Sequence, residues 1–169
     1  IDQALKRIED LSNRPEGFSG VPSGFTRLDR ITSGWQPSDL IIIAARPSMG
    51  KTAFVLSMAR NMAIDHKKSV AIFSLEMSSI QLVNRMIVAE TELSSEKIRN
   101  GNLKKYEWEQ LEIKLKELVE APIFIDDTPA ISVFELRAKA RRLKIQHDIQ
   151  LLIVDYLQLM SGPPEAGSR

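Results

Sequence analysis

The sequence predicts an α/β domain with a mostly parallel sheet and helices on its faces. Short apolar runs alternate along the chain with longer segments in which apolar residues recur at helical spacing. Such alternation is typical of parallel strands joined by right-handed helical crossovers. A small-residue turn that ends in Gly-Lys-Thr also stands between the first apolar run and a helical pattern. In a sheet of this kind, ligands bind beyond the carboxyl ends of the strands.

Residues 1–14 are predicted to form an amphipathic helix, and residues 15–34 a connecting segment rich in Gly, Pro and Ser, with a short helix at 26–31. The apolar stripe of the first helix comprises Ile1, Ala4, Leu5, Ile8 and Leu11. That stripe must be buried, either on its own domain or on a neighbouring subunit, and the helical pattern leaves both possibilities open.

The core of the α/β domain is predicted to span residues 35–160. Its first strand is expected at 39–44, because this run is continuous in Leu and Ile, as a strand buried on both faces should be. After the Gly-Lys-Thr turn, a helix is predicted to about residue 64, followed by a strand at 69–75, a helix at about 79–90 and a short helical turn that Asn100-Gly101 would close. The apolar stripe of Trp108 predicts a longer helix, and strands are predicted at 123–125 and 151–154. Between these two strands Ser132 and Glu135 open a helix with Val133, Leu136, Ala140 and Leu143 on its buried face. Residues 161–169 show no pattern and are predicted to be a disordered tail.

The turn that ends in Gly-Lys-Thr has the order and composition of a phosphate-binding loop. Unpaired N–H groups and the helix dipole make such a helix N-terminus a site for polyphosphate. Lys51 is expected to neutralise the outer phosphate oxygens, and the Thr52 hydroxyl to bind a magnesium ion. Ala45 replaces the usual first glycine, which the loop tolerates if this residue need not adopt a positive φ angle. The candidate nucleotide-binding residues are Ala45, Arg46, Pro47, Ser48, Met49, Gly50, Lys51 and Thr52.

Acidic residues follow three of the predicted strands and should meet at one edge of the sheet. Asp155, after four aliphatic residues, is expected to hold magnesium opposite Thr52. Glu76 either orients an attacking water or merely favours the N-terminus of the next helix, and spacing alone supports both interpretations equally. Asp126 and Asp127 precede Thr-Pro, which favours turn formation and capping over catalysis.

Composition narrows the function classes. The chain of 169 residues is 43% hydrophobic and 27% charged, as is ordinary for a soluble domain. It has no cysteine, which excludes disulfides and thiolate metal sites, and no apolar run of membrane-spanning length. The net charge of +1 gives no support to a strongly basic nucleic-acid surface. One helix face is basic and is interpreted as solvated; its residues are Arg137, Lys139, Arg141, Arg142 and Lys144.

Four motifs in order resemble those of the bacterial replicative helicases of the DnaB type. They are Ala44-Ala45-Arg46-Pro47-Ser48-Met49-Gly50-Lys51-Thr52-Ala53-Phe54, Phe73-Ser74-Leu75-Glu76-Met77, Ile125-Asp126-Asp127-Thr128-Pro129 and Val154-Asp155-Tyr156-Leu157-Gln158-Leu159-Met160. The resemblance covers nearly the whole chain and implies a RecA-like P-loop motor. Such a motor assembles as a ring of six in the bacterial cytoplasm, at the nucleoid, and hydrolyses ATP with Mg2+ to translocate along single-stranded DNA at a replication fork.

The resemblance also implies roles for single residues. Lys51 and Thr52 match the Walker A residues, Asp155 the Walker B aspartate and Glu76 the catalytic glutamate, while Arg85 matches an arginine near the same site. Residues 1–14 match the linker helix that docks on the adjacent subunit of the homo-hexamer, and primase and a helicase loader are the further partners implied.

Members of this family continue past the Walker B strand with more strands, DNA-binding loops and an arginine finger. The chain is therefore expected to carry an incomplete sheet and to hydrolyse ATP weakly or not at all by itself. Two rival functions stay open: a P-loop kinase for a small molecule, and a nucleotide-binding assembly module without turnover.

Overall fold

The computed structural model describes residues 19–162. The helices are α1 (Thr26–Thr32), α2 (Lys51–Arg60), α3 (Ser79–Thr91), α4 (Ser95–Asn100), α5 (Lys105–Glu120) and α6 (Val133–His147), and the strands are β1 (Val70–Ser74), β2 (Ile123–Asp126) and β3 (Leu151–Asp155). A π-helical turn, Asn61–Asp65, continues α2, and a 3-10 turn spans Leu157–Leu159. The predicted helix at 1–14 lies outside the described residues, as does the predicted tail from residue 163 onwards.

The three strands form a parallel sheet in the order β2-β1-β3. The central strand β1 is buried along its whole length, which is consistent with the apolar residues at 70–73. Its alternate side chains enter two cores: Val70 and Ile72 pack with α2 and α3, whereas Ala71 and Phe73 pack with the side of α6 that carries Leu136. Helices therefore cover both faces of the sheet, as the alternation of strands and helices predicted.

The predicted first strand does not join this sheet. Residues 39–44 have no strand assignment, Leu40 and Ile42 are 84% and 77% exposed, and Ile43 alone of these three packs against the core. A strand requires a hydrogen-bonded neighbour, and within residues 19–162 β3 pairs only with β1. An apolar run shows that a segment suits a sheet, but it does not show which strand pairs with it. The described sheet consequently has three strands rather than four.

The segment before the phosphate-binding loop is fixed to α2. The buried carboxylate of Asp29 accepts hydrogen bonds from the Ser23 amide at 2.7 Å, the Ser23 hydroxyl at 2.6 Å and the Gly24 amide at 3.0 Å. These bonds close a tight loop ahead of α1, and the ring of Phe25 stacks on Phe54 of α2 with centroids 4.8 Å apart. The helix that carries Lys51 and Thr52 is thus supported from the N-terminal side of the chain.

Some predicted helix faces are wrong. Trp108 is 48% exposed, because the inward positions of α5 belong to Leu111 and to the buried Glu107. The Glu107 carboxylate accepts from the Lys104 amide at 2.8 Å and from the Lys97 ammonium, and these bonds satisfy its charge. Val133, expected on the buried face of α6, is 61% exposed.

The first residue of the predicted tail is held in the fold. Ser161 forms a parallel bridge with Ser132, and its amide donates to the Ile131 carbonyl at 3.2 Å. No helix within residues 19–162 is both long and apolar enough to cross a membrane.

Candidate active site

The phosphate-binding loop lies on the surface and leads directly into α2. Residues 45–50 are exposed, and no side chain caps the first turn of α2. Ser48 and Gly50 have positive φ angles of 62° and 85°, whereas the φ angle of Ala45 is not positive. Alanine is therefore compatible with the first loop position. A Cβ on Gly50 would meet nothing within 4 Å, so its left-handed backbone, not crowding, is what favours glycine here.

Asp155 brings the two candidate residues of α2 together at the end of β3. Its Oδ1 lies 2.8 Å from the Lys51 Nζ, and its Oδ2 accepts a hydrogen bond from the Thr52 hydroxyl at 2.9 Å. The Asp155 side chain is 8% exposed and that of Lys51 26%. A buried carboxylate without partners would be unfavourable, so these two contacts account for an acid at this position.

Tyr156 is a member of the site that the sequence patterns did not single out. The Lys51 Nζ lies 4.2 Å from the centroid of its ring, within the range of a cation–π contact. Tyr156 follows Asp155 directly and lies within the fourth motif of the family resemblance, and these two signals in the sequence could have pointed to it.

Glu76 stands in a short loop that is fastened to the same strand end. The register of the sheet sets Ser74 beside Asp155, and the Leu75 amide donates to the Asp155 carbonyl at 2.8 Å. The Ser74 hydroxyl bonds to both the carbonyl and the amide of Met77, at 2.7 and 3.3 Å. Glu76 lies between these anchors with an exposed side chain. The loop thus presents a carboxylate to solvent immediately beside the Asp155 strand end.

The far end of the Glu76 loop is fixed by Asp127. The Ser79 amide, in the first turn of α3, donates to Asp127 Oδ2 at 2.7 Å, and this backbone hydrogen bond lowers the pKa of Asp127. Ser78 and Gln81 complete a capping box at the same helix end. The capping interpretation of Asp127 is confirmed.

Asp126 is likewise structural. Burial acts to raise its pKa, but hydrogen bonds from Lys139 and Thr128 outweigh burial, so the pKa is lowered overall. The Lys139 Nζ lies 2.8 Å from Asp126 Oδ2, and its side chain is only 22% exposed. The prediction that Lys139 belongs to a solvated basic face is therefore wrong, whereas Arg137, Arg141 and Arg142 are exposed as expected.

Arg85 is not joined to the other candidates. It is exposed on α3, and its side chain makes no hydrogen bond or ion pair with any residue of the described range. The structure thus unites Lys51, Thr52 and Asp155 by direct contact, adds Glu76 through the backbone, and leaves Arg85 on a neighbouring helix.

The residues at this edge fit a nucleotide with magnesium. Thr52 and Asp155 offer two oxygen ligands of the hard type that magnesium prefers, 2.9 Å apart. Magnesium at such sites completes its shell with phosphate and water, and needs no protein cage. Residues 19–162 contain no such cage, since no group of three or more acidic or histidine residues there could hold a metal. The uncapped first turn of α2 offers backbone donors to an anion.

A parallel sheet with helices on both faces, a phosphate-binding loop and an acidic residue at a neighbouring strand end define a RecA-like P-loop domain. The model of the DnaB-like helicase C-terminal domain family matches residues 20–169, and the chain therefore belongs to this family.

Relatives and solved structures agree with this assignment. The replicative DNA helicase DnaC of Bacillus subtilis is 50% identical over 160 residues, which are 95% of this chain and 35% of that protein. DnaB of Rhodothermus marinus is 52% identical over 171 residues, covering 96% of this chain and 17% of that protein. A solved ATPase domain superposes with a TM-score of 0.88 at 36% identity, covering 100% of this chain and 61% of that one.

A second solved structure, of a DnaB-like replicative helicase described with its interactions with primase, gives a TM-score of 0.83 at 36% identity, with 100% of this chain and 41% of that one covered. The chain spans about a third of the length of the Bacillus relative. The fold is shared throughout the described residues.

Proposed function

We propose that this chain is the ATP-binding and ATP-hydrolysing part of a hexameric replicative DNA helicase, which translocates on single-stranded DNA and unwinds the duplex. The observation that carries the proposal is the contact of Asp155 with both Lys51 and Thr52, beside the loop that holds Glu76. Membership of the DnaB-like family supports the helicase assignment over other P-loop enzymes.

Lys51 supplies a positive charge at the start of α2, where the backbone amides and the helix dipole also favour phosphate. Thr52 and Asp155 hold magnesium. When bound, this ion neutralises charge on the phosphate oxygens. Because Asp155 Oδ1 contacts Lys51 in the structure, a metal held by this carboxylate would compete with the ammonium for its oxygens. The same three side chains thus serve both binding and charge stabilisation.

Glu76 is assigned the role of orienting or deprotonating the attacking water molecule. Its carboxylate is exposed, and its loop is held at Ser74 and at the start of α3, so the side chain can accept a proton or orient water without moving the backbone. Arg85 is proposed to assist from α3 by stabilising negative charge that develops near the same edge of the sheet. Its exposed side chain, free of partners among residues 19–162, supports such a role.

The wider assembly belongs to the proposal as well. Residues 1–14 act as the linker helix that docks on the adjacent subunit, and six copies form the ring. Primase and a helicase loader are the proposed protein partners, in the bacterial cytoplasm at the nucleoid. The solved DnaB-like helicase described with primase supports the first of these partners by relationship.

The test is an ATPase titration with single-stranded DNA, using the protein produced from its complete gene. DNA-stimulated hydrolysis is the expected result. Phosphorylation of a small-molecule acceptor without DNA stimulation would identify a P-loop kinase instead, and nucleotide binding without turnover at any DNA concentration would identify an assembly module.

A further inference from the structure

We propose that Tyr156 is a positioning residue for Lys51. Its uncharged aromatic face contacts the ammonium and orients it for contact with a bound polyphosphate. The inference rests on the proposed function, because it requires Lys51 to bind phosphate. It concerns the Lys51–Tyr156 contact, which no Walker motif specifies.

The contact is close and well supported. The Lys51 Nζ lies 4.2 Å from the centroid of the Tyr156 ring, and a cation within about 6 Å of an aromatic face is attracted by the ring quadrupole. Tyr156 is partly buried, and the preceding Asp155 is fixed in β3 by its pairing with Ser74. The backbone that carries the ring is therefore fixed at the end of a core strand.

The ring and the carboxylate act on Lys51 in different ways. Asp155 neutralises the ammonium and competes with phosphate for its N–H groups. An aromatic face attracts the cation but leaves its full charge and its three donors available. The ring thus restrains the flexible lysine without weakening its attraction for an anion, and a restrained side chain loses less entropy when the ligand binds.

The contact with the ring does not depend on the Asp155 carboxylate. In the proposed function a magnesium ion held by Asp155 would compete with Lys51 for the carboxylate oxygens and would weaken the Lys51–Asp155 ion pair. Tyr156 carries no charge and has no reason to leave the ammonium. The ring would then still restrain Lys51 in the nucleotide-bound site.

The experiment measures the affinity of a fluorescent ATP analogue with magnesium for the protein produced from its complete gene. Tyr156→Leu is expected to weaken binding about three- to tenfold, from the strength of a partly exposed cation–π contact. Tyr156→Phe should stay within about twofold, because the ring face is retained. Tyr106→Leu is the matched control: Tyr106 is 60% exposed on α5, where its ring lies 5.9 Å from Lys104, and its loss should leave affinity unchanged.

A second series separates positioning from packing. Phenylalanines with increasing fluorine content at residue 156 keep nearly the same shape while weakening the ring quadrupole, so affinity should fall stepwise. In a Lys51→Ala background the same series should be flat. A flat series with Lys51 present, or an equal loss without Lys51, would overturn the positioning role while leaving the proposed function intact. A wild-type chain that binds no nucleotide would overturn both.

Discussion

Asp155→Asn should change nucleotide affinity in opposite directions with and without magnesium. In the structure the Asp155 carboxylate holds the Lys51 ammonium at 2.8 Å and accepts from the Thr52 hydroxyl at 2.9 Å. A nucleotide that binds without metal must take Lys51 away from this carboxylate. The amide in Asp155→Asn accepts hydrogen bonds but carries no charge, so it competes less for the lysine.

The magnitude follows from the strength of the contact. A hydrogen bond to a charged group contributes about 1.5–3 kcal/mol and a neutral bond about 0.5–1.5 kcal/mol. The Lys51 side chain is 26% exposed, so solvent screening favours the lower end of the difference, about 1 kcal/mol. Since 1.4 kcal/mol is tenfold in affinity, metal-free binding should tighten roughly fivefold. With magnesium, loss of the anionic ligand should remove most of the gain in affinity that the metal gives wild type.

The assay is a titration of a fluorescent ADP analogue, first in a chelator and then in excess magnesium. Asp65→Asn is a suitable control, because Asp65 is 49% exposed and pairs with Arg60 rather than with the loop. Unchanged or weaker metal-free binding by Asp155→Asn would refute the view that Asp155 competes with phosphate for Lys51.

Two further predictions concern the support of the site. Glu90 accepts from Arg60 at 2.7 and 3.2 Å and its side chain is 6% exposed, so Glu90→Gln should lower the free energy of unfolding by about 1.5–3 kcal/mol in urea titrations. The hydrogen bond from Arg60 lowers the pKa of Glu90 in the folded state. The stabilisation is therefore complete above the unfolded pKa of about 4.3 and is lost as the pH falls through the folded pKa. A difference in unfolding free energy between wild type and variant that grew on acidification would contradict the assignment. Asp127→Ala removes the acceptor for the Ser79 amide and should reduce ATP turnover of the protein from its complete gene, with unchanged nucleotide affinity and with recovery in Asp127→Asn; equal losses in both variants would argue against a positioning role.

The sequence was sufficient for those parts of the site that depend on local order. Lys51 and Thr52 open a helix after a turn, and Asp155 closes an apolar strand, so the parallel arrangement brings them to one edge. The direct contacts of Asp155 agree with the predicted pairing of Thr52 and Asp155. The sequence also favours a structural role for Asp127, because Asp before Thr-Pro suits a turn.

Features that depend on distant partners could not be read from the sequence. Residues 39–44 have a strand's composition, but pairing requires a neighbour that composition does not name. Lys139 was expected in solvent, yet Asp126 lies 13 positions earlier and binds it across the end of β2. Helical periodicity placed Trp108 inside, whereas satisfied hydrogen bonds allow Glu107 to take an inward position. Tyr156 gains its role only from its distance to Lys51.

The most direct test of the proposed ATP-hydrolysis site compares binding and single-turnover hydrolysis of ATP for Glu76→Gln and Lys51→Ala in the protein produced from its complete gene. Glu76→Gln should bind ATP almost as wild type and hydrolyse it at least about a hundredfold more slowly, the usual scale for loss of a general base. Lys51→Ala should weaken binding by about ten- to a hundredfold without abolishing it, from the loss of charged hydrogen bonds. Hydrolysis by Glu76→Gln at the wild-type rate would contradict the assignment of the catalytic carboxylate.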